Sequence, residues 1–355
     1  MTPYYKKKAL YRGILIISLL VLFILMVYSC TIGTTNIGIQ KSFAAIVKQI
    51  PGLSKLVQSV DIENTVTTIV ISVRLPRIIL AALIGSSLAV VGATLQGIFK
   101  NPMADPYVLG ISSGASLCAA IGIITGVSGT MLGIGAISLF SMAGAVFTIG
   151  LVYQIARVGT RIPTASLLLS GIAVGLFFSS VVTVIMAFRR DKIDKIVLWT
   201  MGSVSAASWS HVLIAAFFLI PLSIPLFICM RDLNVLSTGD ETAKSLGIEV
   251  ERTRKVLLFA ASSMIGVCVS VSGVIGFVGL IIPHAIRLIF KSDFRVLLPF
   301  SAVFGAVFLI ACDMLARGLL PAVMKNPTEI PVGAITAFIG APLFVFLLMR
   351  SKKRV

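Results

Sequence analysis

The sequence predicts an all-α polytopic membrane protein, with about ten transmembrane helices in a single transmembrane domain over residues 1–355. The first observation is composition, since 57% of the residues are hydrophobic and only 12% are charged, about half the charged fraction of an ordinary soluble domain. The second is a mean hydropathy of +1.06. The third is that apolar runs long enough to span the hydrocarbon core as a helix recur along the whole chain.

Ten apolar segments have the length of membrane spans. They cover residues 13–32, 78–99, 107–124, 131–156, 166–188, 211–230, 256–271, 274–290, 296–316 and 331–349. The region 256–290 could form one long kinked helix or two short ones. Basic residues stand at both of its ends, and positive charge marks cytoplasmic loops. Both ends are therefore expected in the cytoplasm, with two crossings between them.

The positive charges also orient the whole chain. Ten spans leave the basic clusters at residues 6–8 and 352–354 on one side of the membrane. Placing that side in the cytoplasm (N-in, C-in) puts the larger share of the 30 Lys and Arg residues inside. The segment before Cys30 resembles a secretory signal, but Tyr28 is bulky where cleavage requires small residues. An uncleaved first helix is therefore expected.

The sequence argues against several classes of function. The net charge of +17 is spread over loops and leaves no basic soluble domain to bind nucleic acid. Walker sequences, C-x-x-C pairs and clusters of acids with histidines are missing, so no catalytic residue or metal site is expected. A secondary transporter is a less favoured alternative, because it needs ionisable residues within its spans, where only Asp313 and His284 stand out. His284 is expected to bond a backbone carbonyl rather than a metal.

Four stretches depart from the apolar pattern. They are RLPR at 74–77, the loop at 231–255, GFVGLIIPHAIRLIF at 276–290 and the C-terminal stretch at 312–348. The first places two arginines at the outer mouth of a span, where charge is costly, and the Pro76 ring removes a backbone donor there.

The second stretch, a cytoplasmic loop, is predicted to contain a short helix. Thr238 is a candidate N-cap with Glu241 three residues later, the spacing of a capping box. Ala243 and Leu246 are expected to form one apolar face, and Gly247 suits the position after the helix. Such a helix fits a groove of another protein. The alternative is a solvated connector.

The motifs of the chain, taken in order, resemble one family. They are RLPR, GATLQGIFKNPMADPYVLGISSGA, GDETAKSLG, GFVGLIIPHAIRL and EIPVGAITAFIGAP. Each is weak alone, but together they span residues 74–348 and resemble the permease subunit of type II ABC importers for iron-siderophores, haem and cobalamin (FecCD-like).

The resemblance implies partners and a mode of action. The chain would lie in the cytoplasmic (inner) cell membrane, paired with a second copy of itself or a close paralogue around a central pathway. Two ATPase subunits would bind ATP and Mg²⁺, while this chain would bind no cofactor and hydrolyse nothing. An extracytoplasmic substrate-binding protein would deliver the substrate, and ATP-driven closure of the ATPase dimer would drive alternating access.

The resemblance also implies that outer arginines receive glutamates of the binding protein. The matching positions are Arg74, Arg77 and Arg317. An arginine suits this role because its guanidinium binds a carboxylate bidentately and stays charged. The alternatives are snorkelling to the membrane surface or an intramolecular pair, for instance Arg317 with Asp313 four residues before it.

The remaining site assignments follow the same resemblance. Gly239, Asp240, Glu241, Ala243, Leu246 and Gly247 match the coupling helix that contacts the ATPase. The cytoplasmic gate is assigned to Asn101, Met103 and Thr164. The pathway lining is assigned to Ser170, Gly171, Ser179 and Ser180, which are small and weakly polar.

A basic segment at the outer face suggests the substrate. It carries Arg189, Arg190, Lys192 and Lys195, offset by two aspartates. A positive rim concentrates anionic solutes, and ferric siderophores and haem are commonly anionic. The sequence therefore favours an iron chelate, with cobalamin as the alternative cargo. The basic segment could instead contact anionic lipid headgroups.

Overall fold

The computed structural model describes residues 3–33, 37–49, 63–127, 129–131, 134–159, 163–324 and 329–352. Its α-helices are α1 (Pro3–Ser29), α2 (Ile39–Lys48), α3 (Asn64–Thr68), α4 (Leu75–Ile98), α5 (Ile111–Thr125), α6 (Ala136–Ala156), α7 (Thr164–Phe188), α8 (Ile193–Thr200), α9 (Trp209–Ile228), α10 (Met230–Leu236), α11 (Asp240–Ser245), α12 (Val250–Ser272), α13 (Val278–Phe290), α14 (Phe294–Met324) and α15 (Val332–Lys352). Two-residue strands, β1 (Thr130–Met131) and β2 (Ile134–Gly135), form an antiparallel hairpin before α6.

The ten predicted spans are confirmed as helices. Within the described residues, 7 helices are long and apolar enough to cross a membrane, namely α1, α4 with the turns before it, α6, α7, α9, α12 and α14. Shorter apolar helices, α5, α13 and α15, supply the rest. The region 256–290 is two helices, broken at Gly273. Of the C-terminal basic cluster, residues 353 and 354 lie outside the described part.

Several predicted boundaries were wrong. The second span begins near residue 64 instead of 78, because α3 continues through a π-helical turn, Ile69–Arg74, into α4. The chain stays helical through Pro76, which stands where the π-helical turn passes into α4, at a point where the regular i→i−4 hydrogen-bond pattern is already interrupted. The third span loses its first residues to a separate 3₁₀ turn, Pro106–Leu109.

Helix α4 lies at the centre of the bundle and is buried along most of its length. It contacts α9, α12, α13 and α14, which agrees with a helix that is apolar on all sides. Small residues allow these contacts: Gly85 faces Gly305 of α14, and Gly92 faces Gly279 of α13, each so closely that a Cβ atom would overlap the facing carbonyl.

Replacing Gly92 by Ala is expected to lower the stability of the bundle by about 2–3 kcal/mol, because the overlapping atom belongs to backbone that has little room to yield. Gly150→Ala in α6 is the matched control, since nothing lies within 4 Å of its Cβ position. Thermal unfolding in detergent, followed by a thiol-reactive dye on the buried cysteines, measures both variants. Equal melting temperatures would contradict the close approach of α4 and α13.

Candidate functional site

The two ends of α4 carry the charged groups that the sequence singled out. At the outer end, Arg77 donates to Asp313 Oδ1 from Nε at 2.9 Å, with Nη2 at 2.8 Å from the same oxygen. Its Nη1 donates to Glu329 Oε2 at 2.7 Å. These groups, with Arg74 and Arg317, form what we call the outer arginine cluster. It ties α4 to α14 and to the segment before α15.

The other two arginines of the cluster hold the end of α1. Arg317 donates to Ser29 Oγ at 2.7 Å, to the Ser29 carbonyl at 3.3 Å and to the Ile32 carbonyl at 3.1 Å. Arg74 donates to the Cys30 carbonyl at 2.6 Å. Carbonyls at a helix C-terminus have no intrahelical partner, so these guanidinium groups satisfy them. The cluster therefore fixes α1, whose span is otherwise largely exposed.

The geometry bears on the predicted docking role of these arginines. Arg74, Arg77 and Arg317 are only 4%, 6% and 2% exposed. The intramolecular pair considered from the sequence is present, with Arg317 Nε at 3.1 Å from Asp313 Oδ2. Their docking role stays a prediction, and it carries a new condition: an incoming carboxylate must displace an internal partner.

At the cytoplasmic end, an ion-pair bridge holds the coupling loop. Lys100 Nζ lies 2.9 Å from Asp240 Oδ1, and Arg254 Nη2 lies 2.9 Å from Asp240 Oδ2. Asp240 thus joins the end of α4 to the start of α12. The hydrogen bond from Lys100, together with Arg254, lowers the pKa of the Asp240 carboxyl, so the bridge stays charged at neutral pH. Sequence reasoning missed Lys100 and Arg254.

The short helix α11 was predicted, but the predictions of its N-cap residue and of its apolar face were wrong. Gly239 is the N-cap residue, at φ +148°, whereas the Thr238 hydroxyl donates to the Val235 carbonyl at 2.7 Å. No capping box forms. Ala243 is fully buried, whereas Leu246 is 66% exposed. They separate because the helix ends at Ser245, which turns Leu246 outward at the C-cap.

The predicted gate residues lie at two helix ends. Asn101 and Met103 occupy the turn after α4, where the Asn101 side chain accepts a hydrogen bond from the Met103 N–H at 2.9 Å. Both are exposed. Thr164 begins α7. Because Asn101 follows Lys100, the Lys100–Asp240 bridge ties this turn to α11.

The predicted pathway residues fall into two groups. Ser170 and Gly171 are buried, and Gly171 packs against the 3₁₀ turn. Ser179 and Ser180 are exposed, and Ser179 lines a cavity of about 370 Å³. The polar residues around this cavity are Tyr107, Ser112, Ser113, Ser116, Ser179, Thr183 and Thr200.

This cavity has hydroxyl groups and no charged side chain in its lining. Ser113 and Ser179 bridge α5 and α7 at 3.3 Å between their hydroxyl oxygens. Ser112 Oγ is buried and has no hydrogen-bond partner among the described residues. The sequence analysis listed Ser112 and Ser113 only within the motif GATLQGIFKNPMADPYVLGISSGA and did not assign them to the pathway. The repeated hydroxyls on α5 and α7 were the available signal.

The basic rim is exposed at the end of α7. Asp191 pairs with Arg189 at 3.2 Å and with Lys192 at 3.5 Å, and the hydrogen bond from Arg189 lowers the pKa of Asp191. Within the described chain, Arg190 and Lys195 have no ion-pair partner and are exposed. The rim therefore keeps free positive charge.

The expected role of His284 was wrong. It is buried, but neither ring nitrogen has a hydrogen-bond partner among the described residues. The ring instead meets Phe344 edge-on, with centroids 6.4 Å apart. Among the residues described, no group of three or more His, Cys, Asp or Glu side chains forms a metal-binding cluster.

Comparisons with known proteins agree over nearly the whole chain. The model of the FecCD transport family matches residues 20–350. The cobalamin import system permease protein BtuC of Halobacterium salinarum is 43% identical over 293 residues, which cover 82% of this chain and 76% of that protein. The hemin transport system permease protein HmuU of Yersinia pestis is 38% identical over 286 residues, covering 80% and 84%. A solved inward-facing metal-chelate type ABC transporter superposes with a TM-score of 0.80 at 30% identity, covering 96% and 99%.

Proposed function

Because this chain belongs to the FecCD transport family of ABC importer permeases, we propose that it moves an iron chelate, a ferric siderophore or haem, across the cytoplasmic membrane. It works as a homodimer, or as a heterodimer with a close paralogue, by alternating access. Two ATPase subunits bind ATP and Mg²⁺ and supply the energy, while this chain binds no cofactor. A substrate-binding protein delivers the chelate from outside.

The observation that carries the permease role is the anchored helix α11. The buried Ala243 and the ion pairs of Asp240 fix this helix to α4 and α12, while the side chain of Leu246 is exposed to solvent. A fixed helix with an exposed apolar side chain can enter a groove of a partner and transmit force. We therefore assign Gly239–Gly247 as the contact with the ATPase, with Asn101, Met103 and Thr164 at the adjoining gate.

The observation that favours an iron chelate is the combination of rim and cavity. The exposed Arg190 and Lys195 attract anions, and the hydroxyl-lined cavity that includes Ser179 can donate hydrogen bonds to carbonyl or carboxylate oxygens of a chelate. Without charges of its own, the cavity lining forms no strong ion pair that would retain the substrate. Cobalamin is the second candidate, because a cobalamin importer permease is 43% identical.

The outer arginine cluster is the proposed docking point for the binding protein. Arg77 and Arg317 share Asp313, and Arg74 and Arg317 both hold the end of α1, so the three guanidinium groups lie together at the outer end of the bundle. A guanidinium group binds a carboxylate through two parallel hydrogen bonds, which suits a partner surface that carries glutamates.

An uptake assay tests the proposed function. In proteoliposomes, ATP-dependent uptake of an anionic ferric chelate is expected only when the chain is assembled with its ATPase subunits and binding protein. The chain alone is expected to hydrolyse no ATP. Uptake of cobalamin in place of the chelate would contradict the substrate assignment and leave the permease role standing. Hydrolysis by the chain alone would contradict the permease role itself.

A further inference from the structure

We propose that Glu329 is an exchangeable internal ligand of Arg77, which holds the guanidinium until a carboxylate of the binding protein takes its place. This inference rests on the docking role proposed above and adds a regulatory step to it. In the undocked permease, Glu329 competes with the partner, so docking is an exchange of one carboxylate for another.

The two carboxylates that pair with Arg77 differ in ways that select one for exchange. Asp313 lies inside α14 with its side chain 1% exposed, and it also pairs with Arg317. Glu329 lies before α15, contacts Arg77 through one oxygen, and has a side chain 27% exposed. Removing Asp313 would leave buried charge unpaired. Glu329 already reaches water, so its release leaves it solvated.

The backbone beside Glu329 limits the exchange to a side-chain movement. The Ile330 N–H donates to the Ala316 carbonyl at 3.3 Å, which holds the segment to α14. The side chain of Glu329 can therefore swing outward while its backbone stays in place. When the Glu329 side chain moves away, Arg77 Nη1 becomes free to bind the incoming carboxylate. Arg77 Nε and Nη2 remain bound to Asp313.

The test compares neutral variants of the full complex in lipid nanodiscs. Binding of the extracytoplasmic binding protein that supports uptake by this complex in the assay above is measured at low and high salt. Glu329→Gln is expected to tighten binding about fivefold, near the upper range for a partly exposed ion pair. Glu63→Gln is the matched control, because Glu63 is exposed on the same outer face and contacts no arginine in the ion pairs of the described chain. Its effect on binding is expected to be small and to vanish at high salt.

Arg77→Gln separates failure of this inference from failure of the docking role. A neutral Gln is used because Glu at position 77 would face Asp313 and Glu329 and disrupt folding, so loss of docking would not be interpretable. Thermal stability is measured for each variant. If Glu329→Gln binds like the native chain while Arg77→Gln loses binding, docking stands and exchange is overturned. If Arg77→Gln binds like the native chain, both are overturned.

Discussion

Replacing Leu246 by Asp is expected to abolish stable assembly with the ATPase subunits while the chain remains folded. Leu246 is 66% exposed, so the fold itself does not depend on its burial. In the proposed complex it enters an apolar groove, where an unpaired carboxylate would cost at least about 3 kcal/mol, more than a hundredfold in affinity. Co-purification of the tagged chain with its ATPase subunits, together with thermal unfolding, measures the two effects.

Ser292→Asp is the matched control for this variant, because it adds the same charge at an exposed position on the cytoplasmic side, in the turn between α13 and α14 and outside Gly239–Gly247. It is expected to retain the ATPase subunits. Ala243→Asp is expected to disrupt the loop itself, since Ala243 is fully buried beside Leu236 and Val250. If Leu246→Asp co-purified with the ATPase subunits at the native ratio, α11 would not be part of the interface with the ATPase.

Replacing Asp313 by Ala is expected to destabilise the chain by about 3–5 kcal/mol, the range for removing one partner of a buried ion pair. Among the described residues, the change leaves Arg77 paired with Glu329 alone and leaves Arg317 with no ion-pair partner. Both guanidinium groups are almost inaccessible to water. Thermal unfolding in detergent and the yield of folded protein measure the loss.

Asp191→Ala is the control, since Asp191 also pairs with an arginine at the outer face but is exposed. It is expected to melt at nearly the native temperature. A second variant combines Asp313→Ala with Arg317→Met, so that the buried Arg317 guanidinium is removed together with its acidic partner. This double variant is expected to recover part of the stability that Asp313→Ala loses. If Asp313→Ala and Asp191→Ala had the same melting temperature, the ion pairs of Asp313 would contribute no more to stability than an exposed ion pair.

The membrane spans were predictable because each is an apolar run whose length matches the hydrocarbon core. The division of residues 256–290 into two helices was predictable because basic residues mark both ends of the region. The extension of the second span back to residue 64 was missed. Its residues include threonines and a serine, which the apolar pattern does not assign to a helix.

The site was less predictable because its contacts join distant parts of the chain. The pair Arg317–Asp313 follows from helical spacing, but Arg77–Asp313 and Lys100–Asp240 do not. The pathway serines were hard to sort because α5 and α7 are apolar on all sides, and such helices give no pattern that fixes which face is buried. For the same reason, the sequence did not separate Ser170 from Ser179.

The pair between Arg77 and Asp313 sets an order of events during synthesis. The residues are 236 positions apart, and at about 5–20 residues per second the ribosome makes Asp313 roughly 10–50 s after Arg77. During that interval Arg77, at the outer end of α4, has neither of the two acids, Asp313 and Glu329, with which it later pairs. Arginines near the end of a span reach the lipid headgroups. Newly inserted α4 is therefore expected to stay in contact with lipid. It packs at the centre of the bundle only after α13 and α14 have also been inserted into the membrane.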